Sequence, residues 1–366
     1  MKKNWLKGLF GILYIFSFTF GLTVPTYAEE TSSTAAAESP IGFSYKVIQP
    51  ENQRDTSVGY FDLRMTPGQV QTVQIELANS SNVEKTVEID LNRAKTNGNG
   101  VIEYGPIAID KDASMKYDFE EIVTGPESVT IPAQSIATVD LTITMPESSY
   151  DGIIVGGIQL KEAVDEEARA KQTGVINEYA FMIGMRLSET DTEVLPELAL
   201  NSVYAGLMNY RNSIFVNFSN VEAAFLSDLT VEVQINKQGS EAVLYDTKKA
   251  GMQVAPNSLV DFPVSMNGEK MEPGDYHAHI LATAGDRKWE WDQDFTITDE
   301  EADKFNKQDV SLTQEEGINW VLVGIIAGAG LVLGLVIFFV VRLVRKNKQK
   351  KQPVRKKKTS TKKNRK

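Results

Sequence analysis

The chain has 366 residues, with 38 Lys+Arg, 49 Asp+Glu, two histidines and no cysteine. Without cysteine there is no disulfide, no thiol nucleophile and no lipid-modified N-terminal cysteine, so exported domains must stand on their apolar cores alone. Charge is unevenly placed: residues 1–28 hold three basic residues and residues 342–366 hold 14, leaving 21 basic against 49 acidic in between, about −28. A region of that sign repels nucleic acid and anionic lipid, so neither is expected as its ligand.

Lys2, Lys3 and Lys7 lead into LFGILYIFSFTFGLTV, which closes on Thr26-Tyr27-Ala28. A charged start, an apolar middle and a small-residue exit read as a secretory signal over residues 1–28, cleaved after Ala28. An uncleaved second anchor is the alternative. Residues 29–40 are small and polar and read as a flexible leader.

From Ile41 the pattern has period two: Val70 then Val73, Ile75 and Leu77; Val87, Ile89 and Leu91; Val139, Leu141, Ile143 and Met145. Such alternation puts one strand face on a core and the other in water. Turn signals separate the runs: Thr66-Pro67-Gly68, Asn97-Gly98-Asn99-Gly100, Gly105-Pro106 and Gly125-Pro126. GIIVGGIQL, residues 152–160, is apolar on both faces, and its Gly156-Gly157 marks a bulge or a close backbone approach. Residues 161–174 are charged and free of proline, which predicts a short helix and a domain boundary. Residues 175–187 restart a strand, at the head of the second domain or as a hairpin back onto 152–160.

The second half repeats the pattern in Ile214, Val216 and Phe218, in Leu229, Val231, Val233 and Ile235, and in Trp289, Trp291, Phe295 and Ile297, with a final hairpin turning at Asp286-Arg287. A weak internal repeat joins the halves. Ile131-Pro132-Ala133-Gln134-Ser135 and Val254-Ala255-Pro256-Asn257-Ser258 each lead into a strand, a proline turn and a tyrosine. The expected fold is all-β: two tandem immunoglobulin-like β-sandwich domains, 41–162 and 171–309, plus one C-terminal transmembrane helix. The acidic residues 298–319 read as a stalk, in part within the second domain's span.

Residues 320–341, WVLVGIIAGAGLVLGLVIFFVV, carry no charge and no proline, enough helix for the roughly 30 Å hydrocarbon core. The basic residues 342–366 then place the carboxyl end in the cytoplasm and the acidic bulk outside. Their attraction to anionic lipid is the simple reading of the tail. Gly324 with Gly328, and Gly330 with Gly334, have the spacing that lets two such helices approach, so a homodimer through this segment is one expectation. No LPxTG-like sorting signal precedes the helix; Leu195-Pro196-Glu197-Leu198 lies mid-chain and lacks Thr-Gly.

Catalytic chemistry is poorly supplied. There is no Gly-x-Ser-x-Gly, His-Glu-x-x-His or phosphate loop, and Ser360-Thr361-Lys362-Lys363 lies in the basic tail. His277 and His279 share a strand face at a spacing that can chelate a metal, but no third ligand is assignable; two solvated histidines is the expected reading. Asp165-Glu166-Glu167 reads as a solvated charge run. Trp289 and Trp291 suit either sugar stacking or core packing, and their strand setting favours packing. No cofactor, no metal and no enzymatic activity are expected.

Several stretches resemble the WxL-interacting protein family of Gram-positive surface proteins: Pro50-Glu51-Asn52-Gln53, Gly59-Tyr60-Phe61-Asp62-Leu63, Pro67-Gly68-Gln69, the run from Asn97 to Tyr104, Val129-Thr130-Ile131-Pro132-Ala133, and the run from Tyr150 to Ile158. The layout is similar too, and the resemblance covers nearly the whole chain. It implies a first domain that binds peptidoglycan, a second described as host-binding, and secreted partners bearing a Trp-x-Leu wall domain. It supplies no catalytic residues. The expected function is a membrane-anchored scaffold at the membrane–wall interface, holding peptidoglycan and docking WxL-domain proteins. The alternative is an adhesin whose second domain contacts host extracellular-matrix protein. If glycan binds, Tyr60, Phe61, Tyr104 and Tyr117 are the candidate contacts, because aromatic rings stack on sugars; strand packing is the competing fate of each.

Overall fold

A computed structural model describes residues 42–164, 178–312 and 320–349. The leader, the residues 165–177 that include Asp165-Glu166-Glu167 and the expected short helix, and most of the tail lie outside the described residues.

The first domain is built from β1 (Ser44–Ile48), β2 (Phe61–Arg64), β3 (Val70–Asn79), β4 (Lys85–Arg93), the short hairpin β5 (Lys95–Thr96) and β6 (Ile102–Glu103), helix α1 (Phe119–Ile122), β7 (Val123–Thr124), β8 (Ser128–Ile131), β9 (Ser135–Thr144), β10 (Ile154–Glu162) and β11 (Ala180–Ser188). One sheet runs β1-β3-β9-β7 and the other β2-β11-β10-β4-β8. The predicted alternation holds: Val73, Ile75, Leu77, Val87, Ile89, Val139, Leu141 and Ile143 all point into one core. Apolar burial of this kind stabilises each side chain by about 1.5–3 kcal/mol, which suffices where no disulfide is available.

The second domain follows as β12 (Leu198–Met208), β13 (Arg211–Asn220), β14 (Leu226–Lys237), β15 (Val243–Val254), β16 (Ser258–Ser265), β17 (Gly274–Ala284) and β18 (Arg287–Ile297). Its sheets run β12-β13-β16 and β15-β14-β17-β18. This is the first domain's order again, with β13, β16, β14, β17 and β18 standing for β3, β9, β4, β10 and β11. The internal repeat is therefore a repeat of topology; β2 and β7 are additions of the first domain. Trp289 is buried and Trp291 packs against the second core, so both serve packing. In the last hairpin Ala284 faces Arg287, and Gly285 at φ +56° takes the turn, one residue earlier than expected.

Two expected boundaries shift. Strand β11 pairs antiparallel with β10 and parallel with β2, so residues 180–188 complete the first domain rather than open the second at 171. The reason is that Ile183, Met185 and Leu187 fill the first core. The stalk is also partly folded. Helix α2 (Asp299–Gln308) opens with a capping box between Thr298 and Glu301, which satisfies its first amides. Its Ala302 is buried in the second core, and Asn306 Oδ1 accepts from Met271 N at 2.8 Å. Asp309 Oδ2 then accepts from Asn212 N at 2.7 Å. Beyond it, helix α3 (Trp320–Gln349) continues past the expected end at 341, and Gly324–Leu343 is long and apolar enough to cross a membrane.

The two domains share a hydrogen-bonded seam. The β5–β6 hairpin, whose Asn97-Gly98-Asn99-Gly100 tip reads as an ordinary turn, lies on the second domain. Gly100 O accepts from Gln253 N at 2.8 Å, and Lys249 Nζ donates to Asn99 Oδ1 at 2.8 Å. Buried Thr96 accepts from both Ala255 N and the Ser258 hydroxyl at 2.9 Å. Buried Asp112 accepts from the Ser219 hydroxyl. Ile153 N donates to Ala223 O at 2.9 Å, and Gly152, at φ +94°, is needed because a Cβ there would strike Ala223 O.

Candidate functional site

The outer face of the first domain's larger sheet has a bare centre. Register places Asn92 of β4, Gly157 of β10 and Gly184 of β11 side by side, with side-chain positions facing away from the core. The two glycines make a floor on which other chain can rest. A Cβ on Gly157 would come within 2.6 Å of Tyr104 Cβ, and one on Gly184 would lie 3.8 Å from Tyr60 Cβ. The Gly156-Gly157 pair thus marks a close approach on both faces, since the Phe119 ring covers Gly156 from the core side. The pairing of β10 shows no bulge.

Two cations tie the loop carrying Tyr104 to this floor. Lys95 Nζ donates to Ile107 O at 2.8 Å and Arg93 Nη2 donates to Ile109 O at 3.1 Å. Arg93 is held in turn by Glu120 at 2.9 Å. Burial pulls the Lys95 ammonium below its ordinary range, with Glu120 working the other way. The Tyr104 hydroxyl is pushed up, first by burial and then by the nearby Tyr60 hydroxyl, so the Tyr104 phenol stays a neutral donor.

The four sequence-predicted aromatics part company here. Tyr60 and Tyr104 both lie over the glycine floor, Tyr60 at Gly184 and Tyr104 at Gly157, with Tyr60 40% exposed. Phe61 is fully buried in the first core, a correction to the sequence reading; it opens β2 with its side chain in the core, while Tyr60 lies just before the strand. Tyr117 is half-buried elsewhere, packed on Tyr150 at 5.6 Å between ring centres, beside Pro256 and Asn257 of the second domain.

Sequence reasoning missed three members of the site. Met182 projects beside Tyr104, its Sδ 2.8 Å from where a Gly157 Cβ would be, and is 38% exposed. Asn92 is buried with Nδ2 unpartnered among the described residues. Arg186 stands opposite Asp62, Nε to Oδ1 3.9 Å, within ion-pair range but too far for a hydrogen bond. For the floor beneath the tyrosines, the double glycine was the one signal in the sequence. Together the groups offer exposed aromatic and thioether surface with unspent polar atoms at its edge, the combination that suits the apolar faces and hydroxyls of sugar rings.

The second domain's matching sheet is different. His277 and His279 stand on β17 opposite β18 carboxylates: His277 Nδ1 lies 2.7 Å from Asp294 and His279 Nδ1 2.8 Å from Asp292. Among the described residues, no cluster of three or more His, Cys, Asp or Glu could hold a metal.

Comparison with known proteins also divides the chain into two domains. No curated protein matches. The similar solved structures include a PapD-like domain of human CEP192 (11% identity, 47% of this chain and 100% of that one, TM-score 0.25). They also include the Pseudomonas aeruginosa CupB2 chaperone (12%, 64% and 96%, 0.25) and the E. coli chaperone DraB (11%, 70% and 98%, 0.25). At those scores the fold rests on the strand pairing above. The family models are specific. "WxL Interacting Protein, peptidoglycan binding domain" matches residues 43–162, and "WxL Interacting Protein, host binding domain" matches 170–307. The second match begins before β11, which the pairing assigns to the first domain; hydrogen-bonded register is the firmer guide to where a fold ends. With both domain models matched in order along most of its length, the chain belongs to the WxL Interacting Protein family, as a cell-surface binding protein.

Proposed function

We propose that this chain is a membrane-anchored scaffold whose first domain holds peptidoglycan on the Tyr60–Tyr104 face and whose ectodomain docks WxL-domain proteins. The observation that carries the glycan site is the placement of two tyrosines and Met182 over paired glycines, on the domain matched as peptidoglycan-binding. The apolar helix Gly324–Leu343, followed by basic residues, supports a single-pass anchor with the carboxyl end inside. Docking of WxL proteins is supported by the family's name. Self-association through Gly324, Gly328, Gly330 and Gly334 would bring two ectodomains together. The role is binding without catalysis; appearance of new muropeptides after incubation with peptidoglycan would overturn that part.

The test is retention of full-length protein, in nanodiscs, on purified cell walls. Tyr104→Ala with Tyr60→Ala should lower retention at least tenfold, since ring stacking on a sugar contributes about 1–3 kcal/mol by analogy with base stacking. Retention equal to the wild type would remove the face from consideration. A host-adhesin reading of the second domain is favoured by its host-binding match over 170–307. Plate binding to collagen or fibronectin, competed by soluble second domain, separates it from the scaffold reading.

A further inference from the structure

The outer face of β11 runs on from the tyrosine platform into the junction of the two domains. Met182, Gly184, Arg186 and Ser188 follow one another along it, about 20 Å at 3.3 Å per residue. The track ends in a cleft of about 290 Å³. Arg54, Arg186 and Asp191 line its polar side, and Ile153, Val194 and Phe225 its apolar side; Phe225 belongs to the second domain.

The cations in this cleft are not equivalent. Arg54 pairs with Asp191 at 3.2 Å, and Arg64 of β2, which does not line the cleft, holds the same carboxylate. Arg186 has no hydrogen bond among the described residues, and its one ionic neighbour is buried Asp62 at 3.9 Å. Asp62 lies on the Nε side, and the Arg186 side chain is 39% exposed. An exposed, oriented guanidinium with unspent N–H groups is a fork for a carboxylate. Glu193 lines the same cleft and offers an acceptor to a peptide N–H.

We propose that this interdomain cleft is a carboxylate-reading site for the peptide portion of peptidoglycan, with Arg186 as its anchor and the apolar wall receiving a small side chain. The proposal rests on the glycan reading of the neighbouring face. It adds that recognition extends from sugar to peptide terminus, and that the bound peptide touches both domains.

The experiment measures affinity of the full-length protein in nanodiscs for three probes: chitobiose, a disaccharide-tetrapeptide muropeptide, and that muropeptide with its peptide carboxyl groups amidated. The acid muropeptide should bind at least tenfold more tightly than the amidated one. Arg186→Gln should abolish that difference while lowering chitobiose binding far less than it lowers acid muropeptide binding, and Arg186→Lys, which keeps charge but loses the fork, should fall between. Asp191→Asn, which frees Arg54 and Arg64, should tighten acid muropeptide binding. Equal affinity for acid and amidated muropeptide, or an Arg186→Gln variant that keeps the preference, overturns the cleft. If Tyr104→Ala leaves muropeptide binding intact while Arg186→Gln lowers it, the cleft stands and the tyrosine platform falls.

Discussion

Asn79 and Asn220 occupy the same corner of the two domains. Each ends the strand that begins a turn, each is buried, and each donates to the carbonyl four residues on, Val83 O and Ala224 O, at 2.7 Å. Each also donates to the turn before the partner strand, Ile131 O at 3.1 Å and Ala255 O at 3.0 Å. Gln134 and Asn257, at φ +53° and +47°, finish those turns. There the copies diverge. Gln134 bonds Ser80 within its own domain, whereas Asn257 donates to Val221 O at 3.0 Å and across the seam to Ser114 at 3.2 Å. The matching sheets diverge as well. The first presents a glycine floor under tyrosines, the second rungs of histidine and carboxylate. One plan was kept for stability, and its corners and faces were used differently, one set for a ligand-sized surface and the other for attachment and charge.

That comparison can be broken at four points. The largest effect is expected from the shared corner. Asn79→Ala and Asn220→Ala each take the donor from one buried carbonyl and at least one part-buried carbonyl and should cost roughly 2–3 kcal/mol in denaturant unfolding. Markedly unequal costs would mean that the corners are not equivalent. Next, Gly157→Val forces a side chain into Tyr104 and Met182, at about 1–3 kcal/mol of overpacking, and should also lower cell-wall retention. A matching change on the second sheet, His279→Val, should leave retention alone.

The seam comes third. Asn257→Ala should weaken coupling between domains by about 1 kcal/mol and separate their thermal transitions, while Gln134→Ala leaves the coupling intact. A single transition in both variants would contradict the assignment. The smallest effect belongs to the charged rungs. The hydrogen bond that His277 donates to Asp294 raises the His277 pKa above its ordinary 6.5, so its contribution is complete below that value and is lost as pH rises through the raised one. Bonds from His279 and from His277 hold Asp292 and Asp294, respectively, below the ordinary 3.8, so their contribution is present above 3.8 and is lost as pH falls through the lowered values. The rungs are therefore strongest between about pH 4 and 6.5. His277→Gln should lower the melting temperature there on the order of 1 °C, because the pairs are exposed, and should have no effect at pH 9.

Alternation in Val73-Ile75-Leu77 and Leu229-Val231-Val233-Ile235 was enough to read two β-sandwiches, since period two has one physical solution when one face must leave water. The unbroken apolar run at 320–341 was enough to read a membrane-length helix, and the motif order was enough to read the family. Local pattern did not place β11, because Ile183, Met185 and Leu187 would suit either core; only pairing with β10 and β2 chose. Nor could it show that acidic residues 299–308 pack as a helix, that the Asn97–Gly100 turn docks on the other domain, or that Tyr60 and Tyr104, 44 positions apart, share a floor while Phe61 faces inward. Composition and periodicity act over a few residues and fix what each strand buries. Which strands become neighbours, and which side chains therefore meet on the outside, depends on contacts between distant residues that only the folded chain brings together.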